Sequence, residues 1–231
     1  LSALAGVMAL ALLPAGIIKP AGDESESHRV AAPTMGETLR RSGRLLFICQ
    51  FAFHTCAVSA AVYLFPLWVA NGLAWEAREV GLFFGLVGIV MVLTQGNLLG
   101  RMTDRFGTLR VLRGAAMCFS LSLALSSVAS GLWAMSALGL LAFSAATLCL
   151  PVMNTIASHL VDPASRGRFF GITSSSAAFG RIAGPLVAAG LLAQGDFGLA
   201  WLGTSIVVML VVIWSFTFGT RLPTASQTGS A

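Results

Sequence analysis

Between Gly114 and Val161 the chain runs for forty-eight residues without an Asp, Glu, Lys or Arg, and His159 near the far edge is its one imidazole. Crossing the hydrocarbon core of a bilayer takes about 20 mostly apolar residues. The run therefore holds two spans, with Ser130-Gly131 as the turn between them. Residues 80–100 form a second stretch with neither acid nor base. Of 231 residues 56% are hydrophobic and only 10% charged, far from the balance of a soluble domain. The expected fold class is an all-α membrane protein, a polytopic helical bundle of about seven transmembrane helices.

Taken in order, the spans are expected at 1–18, 45–70 with a bend at Pro66, 80–100, 108–129, 132–159 with a kink at Pro151, 169–193 and 197–219. Residues 19–44 form a linker with nine charges, too polar to bury a core, whose end at 37–44 has the makings of a short surface helix. Residues 220–231 are a polar tail. Asp162-Pro163 reads as an N-cap followed by proline at the first helical position. The opening at Leu1 lies inside an apolar run with no basic leader region, so a fragment starting within a span is expected, its upstream neighbours missing.

With the 19–44 linker placed in the cytoplasm, twelve of the fourteen Lys and Arg residues fall on the inner side. Arg78 alone falls outside, and Arg181 lies within a span. This asymmetry predicts an amino end outside, a carboxyl end in the cytoplasm and a multi-pass location in a plasma or bacterial inner membrane. The net charge of +5 is thereby explained without nucleic acid, since the bases sit in short loops and form no patch with interleaved aromatics. Cys49, Cys56, Cys118 and Cys149 all lie in apolar runs without metal-ligand spacing, so free thiols and no metal site are expected.

The densest charge lies at Gly100-Arg-Met-Thr-Asp-Arg-Phe-Gly-Thr-Leu-Arg110, three bases and one acid in eleven residues, expected as a loop in water. Gly100 would let helix ends approach and Gly107 would permit a tight turn. Asp104 would accept from a helix N-terminus, and Arg105 and Arg110 would pair with it or grip lipid phosphates. The pattern Gly100, Asp104, Arg105, Gly107, Arg110 resembles the signature loop of the major facilitator superfamily. Arg166-Gly167-Arg168 leading to Gly180-Arg181-Ile182-Ala183-Gly184-Pro185 is similar to the penultimate helix of many drug-proton antiporters of that superfamily. The resemblance implies the carboxyl-terminal six-helix half (45–219) preceded by the sixth span, with an amino-terminal six-helix half missing. It also implies that the loop latches the halves together on the inner side and releases them when the transporter rocks.

Arg181 lies 13 residues beyond Arg168 and 15 before Asp196, near the bilayer middle, with no Asp or Glu at its depth. An arginine there costs about 2.5–3.5 kcal/mol on insertion scales. Its partner is a residue of the missing half, backbone carbonyls or an anionic solute, unless it simply ties helix ends together. His54 is the other titratable side chain deep in a span, either a carrier of a coupling proton or a hydrogen-bonded packing residue. Gln50 lies one turn before it on the same face, so the two are placed to line a cavity. Gln95, Asn97 and Asn154 are polar candidates of the same kind, or interhelical glue. Ser176, Gly180, Gly184 and Ala188 make a small-residue stripe, repeated at Gly81 with Gly85 and Gly96 with Gly100, suited to close or sliding helix contact.

No P-loop, zinc-binding histidine pair or nucleophile elbow occurs, so an enzyme is not expected. The leading expectation is a fragment of a secondary active transporter moving a small organic solute, by proton-coupled efflux, with no cofactor beyond the proton gradient. Uptake of an organic anion is the alternative within the class. A seven-helix receptor fits the topology but lacks that class's motifs. The expected partners are a small-molecule substrate, the lipid bilayer and the missing half.

Overall fold

The computed structural model describes residues 44–161 and 165–218. The expected span at 1–18, the 19–43 linker with its surface helix, the Asp162-Pro163 cap and the tail lie outside the described residues. Seven α-helices follow: α1 Arg44–Leu73, α2 Ala77–Leu93, α3 Leu99–Phe106, α4 Thr108–Ser126, α5 Leu132–Leu160, α6 Arg166–Gln194 and α7 Phe197–Phe218. Six segments are long and apolar enough to cross a membrane, in the places the charge-free runs indicated.

The boundaries depart from expectation where local chemistry overrides hydropathy. Helix α1 passes through Pro66 and continues past Asn71-Gly72 to Leu73. Helix α2 does not stop at Gly100. It passes through a π-helical turn, Thr94–Leu98, in which the Leu99 N–H reaches back to the Thr94 carbonyl, and resumes as α3. The charged segment expected as a loop is therefore almost wholly helical. Its one break is Gly107, at φ 84° and ψ 147°, from which α4 departs. Only glycine occupies that region without strain. The charges need water but not an irregular backbone, because a helix end beyond the apolar core exposes them equally well.

Helix ends are held by short-range bonds. The Glu79 carboxylate accepts from the Glu76 N–H at 3.0 Å ahead of α2, and Asp196 Oδ1 accepts from the Leu199 N–H at 3.0 Å ahead of α7. Arg44 at the start of α1 donates to the Leu160 carbonyl at the end of α5 at 3.2 Å, where the helix dipole favours a cation.

Helix α1 lies along α6, and the small-residue stripe explains why. A Cβ on Gly180 would meet the Ala52 carbonyl and Thr55 Oγ1, and one on Gly184 the Cys56 carbonyl. Ser176 donates to the Ile48 carbonyl at 2.9 Å, and Thr55 Oγ1 lies 3.0 Å from the Ala177 carbonyl, so backbones close enough to touch are also bonded. The matching glycines of the third span behave differently: a Cβ on Gly81, Gly85, Gly96 or Gly100 would meet no described atom. The close approach expected at Gly100 is absent among the described residues. Helices α4 and α7 are joined by a reciprocal pair, Ser120 Oγ to the Ser205 carbonyl at 3.2 Å and Ser205 Oγ to the Ser120 carbonyl at 2.9 Å.

Two apolar clusters fill the bundle. One centres on Phe65, stacked on Phe83 at 4.4 Å and held near Gly139, with Trp68 against Trp201 at 5.2 Å. The other centres on Phe47, packed with Phe169 at 6.2 Å and Trp214 at 5.5 Å. Leu82, Ile89 and Val92 on α2 and Phe179, Ile182 and Leu186 on α6 stay exposed.

Candidate functional site

At the level where the two clusters meet, α1, the α2 extension, α5 and α6 enclose a cavity of about 620 Å³. The α1 wall is His54, Thr55, Val58, Ser59 and Val62, the i, i+4, i+8 stripe that one face of a helix presents. Gln95 enters from the π-helical turn, Thr147 and Asn154 from α5, and Arg181 from α6. The structure thus places His54, Gln95, Asn154 and Arg181, each a separate candidate in the sequence, along the lining of one cavity.

Each in-helix proline contributes to the same place. A proline has no N–H for the carbonyl four residues earlier. Pro66, Pro151 and Pro185 each stand inside a helix, and so remove the usual donor from the carbonyls of Val62, Thr147 and Arg181. All three of those residues line the cavity. The Thr147 carbonyl is taken up by Gln95 Nε2 at 3.0 Å. The mechanical role of Pro185 in the Gly180, Gly184, Pro185 element is therefore joined to a polar one beside Arg181.

Arg181 is exposed to the cavity, sixteenth of the 29 residues of α6, and forms no hydrogen bond or ion pair with the described residues. At about 1.5 Å per residue it stands roughly 20 Å from either helix end, in the middle of the span. His54 is 2% exposed, set edge-on to Phe119 at 6.2 Å and against the Ala146 carbonyl, and its Nδ1 has no hydrogen-bond partner among the described residues. Asn154 is exposed, with an amide that bonds no described residue.

Gln50 is not brought to the cavity. It is buried at 4% exposure, its Oε1 without a described partner, at the level where Phe47 and its aromatic neighbours fill the interior. Sharing a face with His54 was insufficient, because the open space begins one turn later. The Asn97 side chain lies outside what the structure describes. Thr147 was missed in the sequence because its contribution is a backbone carbonyl; the proline four residues on was the available signal.

A smaller cavity, about 220 Å³, lies beyond Gln95, lined by Gly100, Thr103, Thr108 and Thr155 among others. Gln95 is the one residue shared by both linings. Beside it, Asp104, Arg105, Gly107 and Arg110 of the charged segment are exposed, and no ion pair joins them among the described residues. The expected pairing of Asp104 with Arg105 or Arg110 fails for geometric reasons. Neighbours at i, i+1 on a helix do not face each other, and Gly107 puts Arg110 on a different helix. The Arg105 guanidinium instead lies 5.6 Å from the centre of the Phe106 ring.

Six apolar spans, with helices interrupted by proline and a π turn at the level of a cavity that holds Arg181 and His54, define a multi-pass helical membrane protein. The chain belongs to the Major Facilitator Superfamily, whose family profile matches residues 46–231. It is 30% identical over 137 residues to a multi-drug resistance efflux pump PmrA homolog of Lactococcus lactis subsp. lactis (strain IL1403), covering 59% of this chain and 33% of that protein. Over 185 residues it is 28% identical to major facilitator superfamily domain-containing protein 10 of Mus musculus, covering 78% of this chain and 37% of that protein. Over 200 residues it is 26% identical to the class D tetracycline resistance protein of Salmonella ordonez, covering 84% and 49%. The crystal structure of the human organic anion transporter MFSD10 (TETRAN) superposes with a TM-score of 0.71 at 19% identity, covering 80% of this chain and 42% of that one, a likeness of fold. The chain spans between a third and a half of the length of these proteins.

Proposed function

We propose that this chain is the carboxyl-terminal half of a secondary active transporter that exports small organic solutes by alternating access, rather than an enzyme. The observation that carries the reading is the cavity holding Arg181 and His54 at mid-membrane, bounded on its open side by the exposed apolar faces of α2 and α6. A second six-helix half closes that side and completes the solute path. The segment 100–110 lies in the cytoplasm, where its exposed charges latch the halves in one state and part in the other. Export accords with the description of the Lactococcus relative as an efflux pump homolog. The proton gradient is the energy source, and His54 is the group on this half that carries the coupling proton.

Arg181 favours a second reading, transport of an organic anion, since it faces the cavity with no acidic partner among the described residues. Everted vesicles containing the full-length protein separate the two. Under export, uptake of cationic and neutral dyes collapses when a protonophore is added, and His54→Gln loses the response to the gradient while retaining downhill movement. Under the second reading Arg181→Ala abolishes movement of anionic solutes, and unchanged movement of every anion tested removes it. Transport indifferent to the proton gradient would remove the coupled mechanism.

A further inference from the structure

Arg110 and Arg113 stand one turn apart on α4 and meet different fates. Arg113 is tied to α7: its Nε and Nη2 donate to the Ser215 carbonyl at 3.2 and 2.9 Å, and its guanidinium lies 4.5 Å from the centre of the Phe216 ring. Arg110 is exposed and forms no hydrogen bond or ion pair with the described residues, Asp104 included. It stands at the rim of a cleft of about 420 Å³ between α3, α4 and α5, walled almost entirely by apolar groups such as Phe106, Cys118, Leu141 and Leu148.

The cleft exists because small residues floor it. Gly114, Ala115 and Ala145 line it, and a Cβ on Gly114 would meet nothing within 4 Å. From Arg110 to Cys118 it follows eight residues of α4, about 12 Å at 1.5 Å per residue. One leaflet's hydrocarbon is about 15 Å deep, half the bilayer core. A cationic rim and an almost wholly apolar slot close to leaflet depth match one molecule: an anionic headgroup carrying an acyl chain.

We infer that this cleft holds one anionic phospholipid, with its phosphate on Arg110 and an acyl chain laid over Gly114. The site shares no residue with the Arg181 cavity, so lipid retention is read separately from the solute path. The guanidinium-phosphate contact is charge-assisted, and its loss is expected to lower selectivity for an anionic over a zwitterionic lipid about tenfold.

Native mass spectrometry of the detergent-purified full-length protein, with phosphatidylglycerol or phosphatidylcholine added, tests this. One phosphatidylglycerol is expected to survive activation that strips phosphatidylcholine. Arg110→Gln should bring the two lipids level. Gly114→Leu, which fills the slot and leaves the arginine in place, should reduce retention of both, and inorganic phosphate should fail to displace the lipid. Equal retention of both lipids by the wild type, a preference that survives Arg110→Gln, or retention untouched by Gly114→Leu overturns the proposal. Displacement by inorganic phosphate also overturns it, as it marks a free-anion site. Circular dichroism and the lipid-free melting temperature show whether each variant is folded.

Discussion

Gln95 Nε2 donates to the carbonyl of Thr147 at 3.0 Å, and Thr147 stands four residues before Pro151. The proline takes the intrahelical donor away from that carbonyl, and a side chain from a neighbouring helix replaces it. The π turn at Thr94–Leu98 carries the donor on the backbone stretch where α2 is least regular. The side chain that makes this bond borders both cavities.

A double-mutant cycle tests that relationship. Gln95→Leu should destabilise by about 1–2 kcal/mol, because it leaves a partly buried carbonyl unsatisfied. In a Pro151→Ala background the helix supplies its own N–H, and the same substitution should cost markedly less. Reversible unfolding in mixed micelles gives the coupling energy, and strict additivity would show that the proline and the glutamine act independently.

Gly184 and Gly85 look alike in sequence and should behave unlike each other. Gly184→Val drives a side chain into the Cys56 carbonyl and the neighbourhood of Ser59, and should cost about 3 kcal/mol or more. Gly85→Val meets open space in the described structure and should stay within about 0.5 kcal/mol. Melting temperatures of the two variants in one detergent decide; equal losses would mean the α1–α6 contact is looser than described.

At the charged segment the two glycines also part company. Gly107→Ala forces a side chain into a backbone region closed to it, and should destabilise by about 1–3 kcal/mol. Gly100→Ala, in a helix with no atom near its Cβ, should be neutral or stabilising by about 0.5–1 kcal/mol. A loss of transport in Gly100→Ala together with raised stability would locate the glycine's importance in the contact with the other half, the place the latch reading puts it.

Sidedness has its own measurement. In a cysteine-free background, Thr103→Cys should react with a membrane-impermeant maleimide in everted vesicles and be protected in intact cells. Labelling confined to intact cells would reverse the topology and remove the cytoplasmic latch.

Much of the bundle was legible in the residues because the bilayer imposes a rule that acts on short windows: apolar length, charge at span ends and basic residues to one side. Arg181 and His54 stood out for the same reason, each a costly residue at a depth where cost is informative. Gln50 is buried and absent from the cavity lining, because helical periodicity reports a shared direction but not whether the space in that direction is open. The charged segment misled because polarity demands water, and both a loop and a protruding helix meet that demand.

By itself, the amino-acid sequence determined the membrane class, the placement of the six described spans and the polar residues that lie within them. Tertiary structure alone decided that α6 lies on α1 through Gly180 and Gly184 while the other glycine stripe faces no described residue. It alone brought three proline-freed carbonyls to one cavity, tied Arg113 to α7 and left Arg110 at the rim of a cleft. Hydrophobic burial is non-directional and is written in composition; a hydrogen bond or a close backbone contact depends on distances between residues far apart in the chain, which only the folded arrangement supplies.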